Sequence, residues 1–170
     1  EDISGSGEEI NPFASIQGGI NFSQEGNSIL VNPGTYQETI DYINKEIHVV
    51  SQSGAALTII DGGGNGPVVK MWGESTEPTL RGFTIQNGSA HEGGGLDIYC
   101  NGVIDSCIIT DNETPTYFGG GAYVHAGTPT ISNTIFKNNE SFYGGAGIYL
   151  YGTQALVENC IFENNHSYDM

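Results

Sequence analysis

Four segments of this chain align when laid over one another: Leu80-Arg-Gly-Phe-Thr-Ile-Gln-Asn87, Ile104-Asp-Ser-Cys-Ile-Ile-Thr-Asp111, Ile131-Ser-Asn-Thr-Ile-Phe-Lys-Asn138 and Val157-Glu-Asn-Cys-Ile-Phe-Glu-Asn164. They start 24, 27 and 26 residues apart. A second set, Gly95-Leu-Asp-Ile-Tyr99, Gly121-Ala-Tyr-Val-His125 and Gly147-Ile-Tyr-Leu-Tyr151, recurs at 26 and 26, in phase with the first. Two motifs locked to one period define a structural repeat. A unit this short cannot bury its own apolar side chains, so it must stack on its neighbours.

The local pattern says what each unit is. In the Gly-led segment Leu96/Ile98, Ala122/Val124 and Ile148/Leu150 alternate with Asp97/Tyr99, Tyr123/His125 and Tyr149/Tyr151, the period of a strand with one face in and one out. In the other segment the alternation slips by one residue at Gly82, Ser106, Asn133 and Asn159. Gly and Asn tolerate the left-handed backbone of a sharp bend between two strands. Each coil therefore reads as strand, tight bend, strand, Asn-rich turn, Gly-rich turn, strand. The expected fold class is all-β, a right-handed parallel β-helix: a solenoid of 24–27-residue coils. The 26 Gly residues, with no triplet period, are punctuation between short strands. They exclude helical repeats, and a propeller would want longer, four-stranded units.

The residues carry a resemblance. Ile29-Leu-Val-Asn-Pro-Gly-Thr-Tyr-Gln-Glu-Thr-Ile40, Thr58-Ile-Ile-Asp-Gly-Gly63 and Leu80-Arg-Gly-Phe-Thr-Ile-Gln-Asn-Gly88 look like opening coils of the pectin lyase-like superfamily. The later coils resemble the repeats of polymorphic outer membrane proteins. Gly144-Gly-Ala-Gly-Ile148, Phe136-Lys-Asn-Asn139 and Phe162-Glu-Asn-Asn165 fit that pattern, while Ile109-Thr-Asp-Asn112 departs from it with Ile for Phe. The resemblance implies a secreted or surface-displayed coil stack. It leaves activity open, because enzymes and adhesins share the fold.

The expected organisation is a flexible arm over residues 1–11 and one β-helix domain over 12–170. Within it, 12–22 is a short capping helix, 28–77 the opening coils and 78–170 the regular repeats, the last coil incomplete. Asn11 is the expected N-cap and Pro12 the first helical residue. The unfinished coil suggests head-to-tail stacking of copies into a filament. The start at Glu1 fits a processed secreted protein and equally a trimmed piece, so the expected location is extracellular or at the cell surface.

Charge narrows the partners. With 4 Lys+Arg against 20 Asp+Glu the net charge is −16, which repels nucleic acid and anionic membrane surfaces. No apolar run reaches the ~18 residues of a membrane-crossing helix, so no insertion is expected. The expected partners are the chain itself or cell-surface glycans.

Candidate sites follow from the stacked strands. Tyr123 should lie over Tyr149, with Tyr99, His125 and Tyr151 in a neighbouring column; these outward rings suit a sugar or a subunit and equally suit cross-strand packing. An enzyme of this fold needs carboxylates on an exposed strand, and only Asp97, with Glu92 before it, qualifies. Lys45, Lys70, Arg81 and Lys137 fall outside the Gly-led strands. The leading expectation is a non-catalytic structural or adhesive module; the alternative is a carbohydrate-active enzyme, a polysaccharide lyase or hydrolase. No metal is expected: His125 lacks a second His or carboxylate at ligand spacing, and Asp61 before Gly62, a weak calcium candidate, suits a turn. The Asn columns Asn138/Asn164 and Asn112/Asn139/Asn165 should satisfy turn backbone groups. Asn112, Asn139 and Asn165 also begin glycosylation sequons, as do Asn21 and Asn87, and in a suitable host would set a row of sugars along one edge. Cys100, Cys107 and Cys160 should be free core thiols; Cys107 and Cys160 share a column two rungs apart, about 9.6 Å, too far for a disulfide.

Overall fold

A computed structural model describes residues 12–168. The expected arm (1–11) and the N-cap at Asn11 lie outside the described residues. Three strands per coil, all paired in parallel, wind five times and begin again. The first coil holds β1 (Ser28–Val31), β2 (Gly34–Gln37) and β3 (Ile40–Asp41); the second β4 (His48–Ser51), β5 (Thr58–Asp61) and β6 (Val69–Trp72). The third holds β7 (Thr79–Arg81), β8 (Thr84–Gln86) and β9 (Leu96–Tyr99). The fourth adds a short strand at the Asn turn: β10 (Val103–Asp105), β11 (Ile108–Thr110), β12 (Glu113–Thr114) and β13 (Ala122–Val124). The fifth holds β14 (Thr130–Ser132), β15 (Ile135–Lys137), β16 (Glu140–Ser141) and β17 (Ile148–Leu150), followed by β18 (Leu156–Glu158), β19 (Ile161–Glu163) and β20 (His166–Ser167). Like strands stack into two 6-stranded sheets, one 5-stranded sheet (β3-β6-β9-β13-β17) and a 3-stranded edge ladder.

The register is the one the repeat demands. Leu80 pairs with Ile104, Ile104 with Ile131 and Ile131 with Val157. The inward positions make continuous apolar columns, among them Val49, Leu80, Ile104 and Ile131, and Ile60, Ile85, Ile109 and Phe136, all fully buried. Gly82, Ser106, Asn133 and Asn159 take φ of 78, 56, 50 and 53°, the left-handed bend that sets the first two strands of a coil at an angle. Gly120 answers a different need: a Cβ there would stand 2.1 Å from the Glu140 carbonyl oxygen, so only glycine lets the turn approach the next coil.

Two expectations about the opening change. Coil length is not confined to 24–27 residues: Ile29 pairs with Val49 and Val49 with Leu80, so turns, not strands, absorb the variation. The helix, α1 (Ile16–Phe22), starts four residues later than Pro12. Ser15 is its N-cap, its Oγ accepting from the Gly18 amide at 3.0 Å. The Glu38 carboxylate accepts from the Ile16 and Gln17 amides at 2.8 and 3.0 Å, so a side chain from the first coil completes the cap. Ile16 and Ile20 are buried in the core.

Of the thiols, Cys100 and Cys107 are buried, but Cys160 is only partly so, since no rung covers the last one among the described residues. The same position leaves Ile161 and Phe162 about half exposed.

Candidate functional site

The 5-stranded sheet carries the outward side chains that its alternation promises, and stacking arranges them in two columns. The first runs Asp41, Lys70, Asp97, Tyr123, Tyr149, each paired with the next. The second runs Trp72, Tyr99, His125, Tyr151. Tyr123 and Tyr149 are stacked, centroids 5.6 Å apart and planes within 5°. His125 touches Tyr123 at 5.0 Å and Tyr99 at 5.2 Å, and Trp72 lies 6.3 Å from Tyr99 and 5.7 Å from His125.

The rings extend past the strands. Phe118, in the turn before β13, stacks on Tyr149 at 4.3 Å; Tyr117 meets Phe118 at 4.6 Å, and His91 stacks on Tyr117 at 4.8 Å. The result is an unbroken belt of aromatic contacts from His91 to Trp72. Where rings stack face to face, their edges point to solvent. Tyr123 is only 6% exposed. Among the described residues the one buried side-chain oxygen or nitrogen without a partner is Thr114 Oγ1. The hydroxyls of Tyr99, Tyr123 and Tyr149, which form no hydrogen bond among the described residues, are therefore not sealed from solvent. Broad apolar surface is offered instead at the ends of the second column, by Trp72 (37% exposed) and Tyr151 (62%).

Asp97 stitches the columns together. Its Oδ1 accepts from His125 Nε2 at 2.9 Å and its Oδ2 from Trp72 Nε1 at 3.1 Å. Burial raises its pKa above the ordinary carboxylate value, against the pull of His125, Trp72 and Lys70. Burial first, and the Glu92 carboxylate second, push Tyr123 up to about 12. Lys70 pairs with Asp41 at 3.4 Å and stands 4.1 Å over the Trp72 ring.

This geometry corrects one expectation and adds to others. Lys70 lies outside the Gly-led strands, as expected, yet its strand joins their sheet and sets it one rung from Asp97. His125 does have a carboxylate at bonding distance, Asp97, 28 positions earlier in sequence and on the adjacent rung. Asp97, expected with Glu92 as the carboxylate pair of an enzyme, has His125 and Trp72 as its hydrogen-bond partners. Trp72, Lys70, Tyr117 and Phe118 were not singled out by the sequence. The alternation Val69/Met71 inward and Lys70/Trp72 outward, 27 residues before Leu96/Ile98, is the signal that finds the first two.

Asp61 ends β5, and its carboxylate holds the turn that its Gly neighbour begins. Oδ1 accepts from the Gly63 amide, and Oδ2 accepts from Gln86 Nε2 and Asn87 Nδ2, both at 2.9 Å. No cluster of three or more His, Cys, Asp or Glu capable of holding a metal ion occurs among the described residues.

The sequons divide sharply. Asn112 and Asn139 are 1% and 0% exposed, and their amides donate inward to Ile85 O on β8 and Ile109 O on β11. Asn165 is partly buried and donates to Phe136 O at 2.9 Å. The expected row of sugars on these three therefore finds no outward amides. Asn87 is exposed, its amide on Asp61; Asn21 is exposed on α1, its Oδ1 accepting from Gln17. The expected Asn138/Asn164 column is exposed at Asn138, and its role is backbone: φ is 53 and 54°.

Residues 39–169 match a family described as "Right handed beta helix region". No curated protein matches the chain.

Proposed function

Because the chain belongs to the right-handed β-helix family, whose fold supplies a rigid faceted column and no fixed activity, we propose that it is a non-catalytic extracellular module that holds a neutral glycan against its 5-stranded sheet. The observation that carries this is the unbroken belt from His91 to Trp72. Phenol hydroxyls and ring edges along the belt suit a ligand rich in hydroxyl groups, and the exposed surface of Tyr151, with the part of Trp72 that Lys70 leaves uncovered, suits the C–H faces of sugar rings. The net charge of −16 turns anionic polymers away. Resemblance of the later coils to polymorphic outer membrane protein repeats supports surface display.

The test is binding to the β-linked hexasaccharides of glucose, mannose, xylose and galactose, mapped by backbone amide shifts. The reading expects at least one to bind and to move the amides of Trp72, Tyr99, His125 and Tyr151. It expects the affinity to fall about tenfold or more in the double variant Trp72→Ala, Tyr151→Ala. Binding to none, or shifts confined to another face, contradicts it.

The second reading is a carbohydrate-active enzyme, and the contact between His125 and Asp97 favours it, since a carboxylate that orients an imidazole is the arrangement of a general base. Release of reducing ends or unsaturated products from the same sugars, abolished in His125→Gln, would establish that reading over the first.

A further inference from the structure

Resting on the glycan-binding reading, we infer that His125 is the acceptor by which this face reads a sugar hydroxyl, and that protonating it in mild acid loosens the glycan. The geometry fixes which nitrogen does the reading. A carboxylate can only accept, so Nε2, 2.9 Å from Asp97 Oδ1, carries the hydrogen of the neutral ring. Nδ1 is then a bare lone pair. It forms no hydrogen bond among the described residues, and it is not among the buried unpaired atoms, so it is not sealed from solvent.

The ring cannot turn away from this role. Tyr99, Tyr123 and Trp72 pack around it at 5.2, 5.0 and 5.7 Å. Asp97 is itself held by the Trp72 indole, and the side chains of His125 and Asp97 are 23% and 13% exposed. The phenols of Tyr99 and Tyr123, whose rings touch the imidazole, can both donate and accept. An imidazole lone pair can only accept, so it selects a hydroxyl that donates.

Acid reverses that selection. A second proton goes to Nδ1, which becomes a donor, while Asp97 balances the new charge. The other charged or titratable groups facing the pair are Lys70 on β6, Asp41 on β3, Glu92 in the turn before β9, Tyr99 on β9, Tyr123 on β13, and Tyr149 and Tyr151 at β17. ¹⁵N titration of the two imidazoles on the face, His125 and His91, reports directly which of these groups changes together with binding. His91, at the far end of the belt, is the other imidazole on the face and serves as the control.

The experiment is calorimetric titration of the full chain with the four neutral hexasaccharides at about pH 7.5 and about pH 5, beside ¹⁵N titration of the imidazoles. Loss of one acceptor predicts affinity about fivefold weaker in acid. The ¹⁵N shifts should report His125 protonated at Nε2 and bare at Nδ1 at the higher pH, and the binding midpoint should coincide with its titration. His125→Gln, checked for folding by its thermal transition, should bind with no such slope, and His91→Gln should keep the slope. Binding that is level across the His125 titration, a slope that survives in His125→Gln, or a ring protonated at Nδ1 overturns the inference and leaves the glycan reading standing. No binding at either pH removes both.

Discussion

Asn139 Oδ1 accepts from both the backbone amide and the side-chain Nδ2 of Asn112, one coil earlier, each at 3.1 Å. Its own Nδ2 donates to Ile109 O and to Asn165 Oδ1, both at 2.9 Å. One buried side chain thus satisfies two turns, and its removal strands backbone groups away from water. Asn139→Ala is expected to cost about 3 kcal/mol or more. Asn138→Ala, at an exposed neighbour in left-handed backbone, should cost about 1–2 kcal/mol. Urea unfolding of the two variants measures the difference; equal costs would mean that the amide ladder contributes little.

How much of this was legible in the sequence depends on whether a residue's role repeats. The bend residues Gly82, Ser106, Asn133 and Asn159 were readable because every coil must turn at the same place, and all four adopt positive φ. The inward columns were readable for the same reason. Lys70 and Trp72 were missed because the opening coils are irregular in length, so a 26-residue ruler loses phase there. The contact between Asp97 and His125 runs diagonally between rungs, and a register of like positions does not predict it. The sequons misled because a tripeptide does not reveal whether its Asn points inward, and in a coil the turn decides that.

The thiols give a second prediction. Burial pushes Cys100 and Cys107 up to about 11, so at about pH 8 roughly a thousandth of each is thiolate even before access is considered. Cys160 is partly exposed, its Sγ lying against Ile131 O and Glu158 O. Native protein treated with iodoacetamide should be alkylated at Cys160 first, and at all three only in denaturant. Equal labelling of the three in native protein would place Cys100 and Cys107 outside the core.

Acid should act in opposite directions on two aspartates. Asp105 is partly buried, which alone would raise its pKa, but bonds from Asn133, Ser132 and Ser106 and the Arg81 guanidinium at 3.0 Å bring it below the ordinary value. A depressed carboxyl stabilises the fold above its unfolded value near 3.9 and loses that contribution as pH falls through its folded value. Asp97 is raised, so its contribution is present below about 3.9 and is lost as pH rises through its folded value. Asp105→Asn should therefore flatten the loss of stability between about pH 5 and 2, and Asp97→Asn should steepen the loss on acidification from neutral pH. Urea midpoints against pH give both signs, and the same sign in both variants would contradict the assignment.

That residues one coil apart meet on one face is tested most directly by a double-mutant cycle on Tyr123 and Tyr149. Stacked rings predict that Tyr123→Ala and Tyr149→Ala couple by about 1 kcal/mol in unfolding free energy, while Tyr99→Ala and Tyr149→Ala, two rungs apart, add independently. Additivity within about 0.3 kcal/mol for Tyr123 and Tyr149 would contradict the stacking from which the sheet, its aromatic belt and the reading of its ligand all follow.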